Sequence, residues 1–368
     1  MNLKTQGFVL LDVDVVALNN AGKNTASNYE NAVATKKIIK NGKSYVYVSG
    51  QAWRYWWREA LQKNHAWQMS PITRESKIAF TDANPIKFED DDVFGYMKAT
   101  KEEETDENGN VILDNKGKPK KTDATVTRVS PLKNSAIISV APTRVAENWS
   151  SMARQEGDAV PYAKDEYSAI MKGMFSLDLA QVGTFSTYNR TGFKNLTVSL
   201  KEAALKEVGS EEIADAYVKT GKGEFQKLIR LSKSTRLKRA KETIQALKTI
   251  SGGAMQTNNM GDVTPKFIIL ASMTTGNHPF SHVAKSEETN VNNSKADLNI
   301  EGIQEVLKDY NAQFVGTIFI GRRSGFMDDY KTDLLNLEKL GEGYPPVKVL
   351  SINEAIDQYC QQLDNQMP

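Results

Sequence analysis

Between Gly7 and Asn20 the chain reads GFVLLDVDVVALNN, and apolar residues recur at every second position. Val9, Leu11, Val13, Val15 and Ala17 make one wholly apolar face, while Phe8, Leu10, Asp12, Asp14, Val16 and Leu18 make a mixed one. Side chains alternate sides along an extended chain, so this pattern predicts a strand deep in a sheet. Residues 49–61, SGQAWRYWWREAL, change the period. Wound at about 3.6 residues per turn, Ala52, Trp53, Trp56, Trp57, Ala60 and Leu61 share one half of a helix. Gln51, Arg54, Tyr55, Arg58, Glu59 and Gln62 share the other. Ser49 is a natural N-cap, and Gly50 lets another chain come close to the first amides.

The same reading extends along the chain. Lys36–Val48 is a hairpin turning at Asn41-Gly42. Asn134–Val140, Met174–Phe185, Lys266–Ser272 and Phe314–Ile320 are strands. Glu224–Ser251 reads as one helix with Leu237, Ala240, Ile244 and Leu247 on its core stripe, closed by Gly252-Gly253. Asn299–Asp309 and Ser351–Leu363 are further helices. Ala141–Lys172, with Pro142, Trp149, Met152, Arg154, Gly157 and Pro161, reads as an insertion without clear period. Lys101–Ala124 is rich in Lys, Glu, Asp, Asn and Gly, with Asn108-Gly109 and Asn115-Lys116-Gly117 around Val111-Ile112-Leu113, and predicts a long hairpin or a disordered loop.

Composition adds bounds. The 368 residues are 40% hydrophobic and 25% charged, which is a globular balance. A net charge of +2 confines any polyanion site to a local patch. The single cysteine, Cys360, excludes an internal disulfide and fits a reducing cytoplasm. No apolar run approaches the ~20 residues of a membrane span.

Candidate chemistry is sparse. A helix start with open amides, followed by Arg54 and Arg58 on a face expected to be exposed, suits a phosphate backbone. Asn19-Asn20-Ala21-Gly22-Lys23-Asn24 is a turn-forming loop at a strand's C-terminal end. From Gln226 to Lys241 there are seven basic residues and no acid, a bias expected of an anion-facing helix. Asp12 and Asp14 point the same way but lack further ligands at metal spacing. Glu89-Asp90-Asp91-Asp92 reads as a solvated acidic edge before a short strand. Pro279 separates His278 from His282 and argues against a helical metal pair. Gly321-Arg322-Arg323-Ser324-Gly325 lacks the Gly-Lys-Ser/Thr ending of a phosphate loop.

Five stretches, LDVDVVALNNAG (11–22), YVSGQAWRYWWRE (47–59), DDVFGYM (91–97), VSPLKNSAIISV (129–140) and FSLDLAQVGTF (175–185), resemble the CRISPR-associated backbone subunit of type I Cascade complexes, in its DevR-like, type I-B branch. The resemblance implies an α+β fold: a modified RRM/ferredoxin-like βαββαβ palm with finger and thumb-like insertions. The palm would comprise about 7–63, 130–140, 174–190, 224–272 and 312–322. Residues 64–128 would be the finger region, 141–172 a thumb-like hairpin and 275–298 a loop. It implies CRISPR RNA (crRNA) contacts at Asn19, Asn20, Lys23, Ser49, Gln51, Arg54 and Arg58, with Gly252 and Gly253 a weaker transfer. It further implies head-to-tail copies along the guide, pairing of the guide with a target DNA strand, and other Cascade subunits as partners: a 5′-handle-capping, a large and a small subunit. No catalytic residue, cofactor, metal or membrane is implied, and the setting is prokaryotic cytoplasm. Asp12 and Asp14 depart from the stacking aromatics of a standalone RNA-recognition motif. Two other functions compete. An RNA endonuclease would need His65, or Asp91, Asp92 or the acids of 102–107 with a metal. A transcriptional regulator would need a DNA-reading helix-turn-helix, which is not evident.

Overall fold

The computed structural model describes residues 2–75, 78–99, 101–103, 111–114, 116–123, 125–152, 156–189, 194–287 and 295–367. It divides into two compact units, one of Met1–His65, Lys133–Leu177 and Lys241–Gln366, the other of Ala66–Leu132, Asp178–Ala240 and the last two residues.

The first unit is built on a mixed sheet. Its main path contains β1 (Lys4–Val16), β2 (Lys37–Lys40), β3 (Lys43–Val48), β4 (Ile137–Ser139), β5 (Val160–Asp178), β6 (Phe267–Met273), β7 (Ile318–Arg322) and β8 (Val347–Leu350). Their spatial order is β8-β7-β6-β1-β5-β4-β3-β2. Strand β1 runs antiparallel to β6, from Lys4 opposite Met273 to Leu10 opposite Phe267. Strands β4 and β5 pair antiparallel, as do β4 and β3. The β2–β3 hairpin turns at Asn41 and Gly42, both at positive φ, the backbone an Asn-Gly turn favours.

Helix α1 (Gly50–His65) lies between β3 and β4 in sequence, and α2 (Lys233–Gln245) between β5 and β6. Trp53, Trp56, Trp57, Ala60 and Leu61 are the buried stripe of α1, as its spacing predicts. The Trp53 and Trp57 rings stack at 5.4 Å, and the Phe175 ring of β5 meets Trp57 edge-on at 5.2 Å. Gly7 makes room for that ring: a Cβ there would lie 2.1 Å from Phe175. The indole N–H of Trp57 donates to the Thr243 carbonyl at 2.7 Å, so the largest buried side chain leaves no unpaired polar atom. A second core holds Phe8, Leu10, Phe267 and Ile269 of the sheet, with Phe280, Val283, Leu298, Ile303, Leu307 and Leu334 packed on it. Helix α3 (Ile300–Asp309) starts where expected, its Asn299 cap accepting from the Gly302 amide. Helix α4 (Ile352–Gln366) supplies Tyr359, whose hydroxyl donates to Thr5 Oγ1 at 2.7 Å.

The strand prediction for β1 fails at one residue. Val15 is 58% exposed and Val16 is buried, reversing the predicted faces. The backbone passes through φ +47° at Val15, a conformation a β-branched residue rarely takes, and the alternation slips by one position. The Val15 amide donates to Ser168 Oγ at 3.1 Å, which holds the irregular turn. The predicted strand Met174–Phe185 also divides: β5 ends at Asp178, and a separate short strand runs Thr184–Ser186.

In the second unit, Thr184–Ser186, Phe225–Arg230 and Glu211–Lys219 form a three-stranded sheet over Phe185, Leu196, Ala204, Ile229 and Leu231. The predicted helix Glu224–Ser251 is therefore wrong in its first part, where the chain is the strand Phe225–Arg230. The solvated acidic edge is also overturned. Glu89–Phe94 is a short helix with Asp90, Asp91 and Asp92 buried. Asp92 is a hub: its carboxylate accepts from Arg128, from Arg239 at 2.7 Å and from the Gly183 amide at 2.9 Å. Arg128 also donates to the carbonyls of Asp92, Thr184 and Gln181, and lies 4.4 Å over the Phe185 ring. Lys101–Glu103 pairs antiparallel with Lys121–Asp123, while Asn108-Gly109 and Asn115 lie outside the described residues.

Candidate nucleic-acid interface

Three separate backbone segments of the first unit meet at the start of α1. Ser49 caps the helix, its Oγ accepting from the Ala52 amide at 3.3 Å. The Ser49 amide donates to the Asn19 side-chain oxygen at 2.9 Å, fixing the end of β1 to the helix start. The Leu18 carbonyl accepts from the Ala254 amide at 3.0 Å, bringing Gly252 and Gly253 to the same place. Neither glycine tolerates a side chain. A Cβ on Gly252 would fall 2.2 Å from the Trp56 ring; one on Gly253, at φ +109°, would fall 2.7 Å from Leu18.

Beyond Asn19 the predicted polar loop is a short strand. Asn20–Lys23 pairs antiparallel with Ala32–Thr35, and Asn20 and Lys23 are exposed upon it. Gln51 is exposed on the first turn of α1.

The arginines are less open than predicted. Arg54 and Arg58 are both half-buried. Arg54 donates to Asn134 Oδ1 at 3.1 Å, and Asn134 Nδ2 donates to the Gly50 carbonyl at 3.1 Å. The chain that comes close to Gly50 is thus the protein's own, at Asn134 and Ser135. Burial first, and the neighbouring Arg58 charge second, bring the Arg54 pKa down to about 10. It stays protonated at neutral pH, as a partly desolvated cation beside another cation.

The segment after Gly253 is anchored by a buried polar network. Asn259 donates to Glu166 at 2.9 Å and accepts from Lys164 at 2.9 Å, while Lys164 and Glu166 pair at 2.6 Å. Glu166 also accepts from Asn148, on the strand Ala146–Met152 that pairs with β5. Ala146–Met152 and Val160–Glu166 therefore pair as regular antiparallel strands within the stretch that shows no clear period in sequence, with Arg154 outside the described residues.

The model of one protein family, CRISPR-associated negative auto-regulator DevR/Csa2, matches residues 9–293, which contain all the segments just described. The chain belongs to the DevR/Csa2 family. Among solved structures, a chain titled "CRISPR RNA-guided surveillance complex" aligns at 9% identity and a TM-score of 0.48, over 98% of this chain and 99% of its own. Another, titled "CRISPR RNA-guided surveillance complex, pre-nicking", aligns at 10% and 0.49 over the same shares. No curated protein matches the sequence.

Elsewhere in this DevR/Csa2 member the predicted chemistry is dispersed. The basic run Gln226–Lys241 is divided: Arg236 and Arg239 are buried, Lys227 pairs with Glu212 and Lys241 with Asp364, while Lys233 and Lys238 are exposed. Asp12 and Asp14 are exposed on β1; burial first, then Asp14, raises the Asp12 pKa, with Lys266 opposing. Burial lowers the His65 pKa, with Glu242 raising it and Lys248 lowering it. Asp91 accepts from the Asn84 amide at 2.9 Å, and burial raises its pKa. His278 meets the Gly7 carbonyl at 2.9 Å, and Arg322 pairs with Asp328. Among the described residues no three His, Cys, Asp or Glu side chains converge as a metal site, and no helix is long and apolar enough to cross a membrane. Asn134 was not predicted as part of the candidate interface. It lies 80 residues from Arg54 in sequence, and no local pattern marks it.

Proposed function

We propose that the chain is a non-catalytic backbone subunit of a type I-B Cascade complex. Copies assemble head-to-tail along a crRNA and hold its spacer for pairing with a target DNA strand. The other subunits of the complex, including the 5′-handle-capping, large and small ones, are its further partners. Family membership supports the CRISPR setting. The fold supports an RRM-like palm: β1, α1, β4, β5, α2 and β6 follow as βαββαβ, with the strands in the spatial order β6-β1-β5-β4. Asn19, Asn20, Lys23, Ser49, Gln51, Arg54, Arg58, Gly252 and Gly253 form the RNA surface.

The observation that carries this reading is the meeting of the β1 end, the α1 start and the Gly252-Gly253 turn beside two adjacent half-buried arginines. Two like charges held together and partly out of water favour an anion between them. A phosphate supplies it, and the exposed side chains of Asn20, Lys23 and Gln51 can hold a backbone without reading bases. A subunit that repeats along a variable spacer needs that indifference to sequence.

The test is binding to two unrelated guides of equal length across a salt series. Equal affinities with a steep salt slope are expected, and neither guide is cut with Mg²⁺ or Mn²⁺. Metal-dependent cleavage, or strong preference for one sequence, would contradict the reading.

A further inference from the structure

Strand β2 pairs on one side only, with β3, and ends the sheet path among the described residues. Its register fixes which backbone groups are spare. The Tyr47 amide donates to the Lys36 carbonyl at 3.0 Å, and opposite residues of an antiparallel pair are bonded only at every second position. Ile38 opposite Tyr45 and Lys40 opposite Lys43 are therefore bonded within the hairpin. The amides and carbonyls of Lys37 and Ile39 point outward, and among the described residues they have no partner. Spare donors and acceptors two residues apart are what an added strand takes up.

An apolar floor lies beside this edge. Tyr47, Ile138 and Lys172 stand opposite one another across β3, β4 and β5, so they share a face. Gly173, the next residue of β5, meets Trp53 of α1, so the shared face is the one turned away from α1. There Ile38, Tyr47, Ile138, Lys172 and Met174 line a cavity of about 420 Å³. Ile38 and Ile39 are 43% and 66% exposed, one toward each face of the sheet. The charge around them has one sign. Lys36, Lys37, Lys40 and Lys43 stand within eight residues that hold no acid. Lys37 has Asp165 at 3.8 Å, whereas Lys172 donates to the Ser281 carbonyl at 2.8 Å and Lys40 lies 6.0 Å over the Tyr45 ring. Burial, then the Lys40 charge, lowers the Lys172 pKa.

These features select among occupants. A second β2 edge would bring the same lysines against these, and like charges facing each other across a ladder repel. A polynucleotide has the matching charge but no peptide groups to continue the ladder. An extended acidic peptide has both. We propose that β2 accepts an added strand from a different protein, with carboxylates opposite Lys37 and Lys40 and branched apolar side chains opposite Ile38 and Ile39. Main-chain bonds to Lys37 and Ile39 supply the affinity, and the cavity beside Ile38 and Tyr47 takes the apolar side chain on that face. The lysines then act by exclusion as well as attraction, turning away like edges and admitting an unlike one. This docking surface does not depend on the RNA-binding reading.

Fluorescence anisotropy on the full chain tests it, with a labelled Ser-Glu-Val-Val-Glu-Ser peptide as the probe. Saturable binding that weakens with added salt is expected, and a Lys-Ile-Ile-Lys peptide should not bind. Ile39→Pro removes an outward N–H that gives nothing to the hairpin, so the melting temperature should hold. Affinity for the acidic peptide should nonetheless fall about tenfold, the worth of one lost ladder bond. Lys40→Glu should weaken it as well. Should Ile39→Pro disturb folding, the acidic peptide N-methylated at both valines gives the same reading on the unaltered chain, and it should bind poorly. Absence of saturable binding would overturn the proposal. So would binding that survives N-methylation, which would reduce the contact to charge attraction. Equal binding of the Lys-Ile-Ile-Lys peptide would assign the edge to a second copy. An oligothymidylate whose affinity drops equally with Ile39→Pro would assign it to nucleic acid, and either result would also overturn it.

Discussion

Arg54 joins two jobs in one side chain. It holds Asn134, and through it the Gly50 carbonyl, while its charge sits beside that of Arg58. Arg54→Ala should cost about 1 kcal/mol of stability, the worth of one hydrogen bond. It should weaken RNA binding equally for unrelated sequences and reduce the salt slope by ~0.7 for each phosphate that the side chain no longer neutralises. Trp57→Ala should cost ~3–5 kcal/mol in denaturant melts through the cavity it leaves, with the salt slope of the folded fraction unchanged. The tryptophan stripe was legible because helical period alone sorts it. The half-burial of Arg54 was not, because the residues that cover it come from β4's approach, far along the chain. Gly7 is a similar case: the strand pattern places it, but only the Phe175 ring explains why nothing larger fits.

At the scale of elements, the sequence misled where charge was taken for exposure. Arg239 and Asp92 are 147 residues apart, so the basic helix reads as facing an external anion and the acidic run as solvated, and only the fold pairs them. Asp92→Ala would leave Arg128 and Arg239 buried without their counter-charge, and should cost ~3–5 kcal/mol. Hydrogen-deuterium exchange should then rise around Gly183 and Arg128 before α1. The Asn148–Glu166–Asn259 network carries a pH dependence. Burial pushes the Glu166 carboxyl up, but hydrogen bonds from Lys164, Asn148 and Asn259 outweigh it and hold it below its ordinary value. A depressed carboxylate stabilises the fold above its unfolded pKa of about 4.3, and that contribution disappears as pH falls through the folded pKa. Glu166→Gln should flatten this acid limb of the Tm profile while leaving the slope near pH 7 unchanged.

For the whole molecule, most of β1, the β2–β3 hairpin, β4, β6, β7 and the helices α1, α3 and α4 were legible because each is one periodic stretch, whereas most of β5 and all of β8 were not. The division into two units was not, since both are stitched from segments interleaved along the chain. The residues of the proposed RNA surface can be named from the sequence but their meeting cannot: Asn19, Ser49 and Gly252 come together only through the Leu18–Ala254 and Asn19–Ser49 bonds. On the proposed function that convergence would give each copy one RNA surface, so the reading is at heart one of repetition, with successive copies on successive stretches of guide. Native mass spectrometry of particles assembled on guides of graded length decides whether this is so. The number of copies should rise by one for each fixed increment of nucleotides, whatever the sequence. A constant copy number on guides of very different length would contradict it.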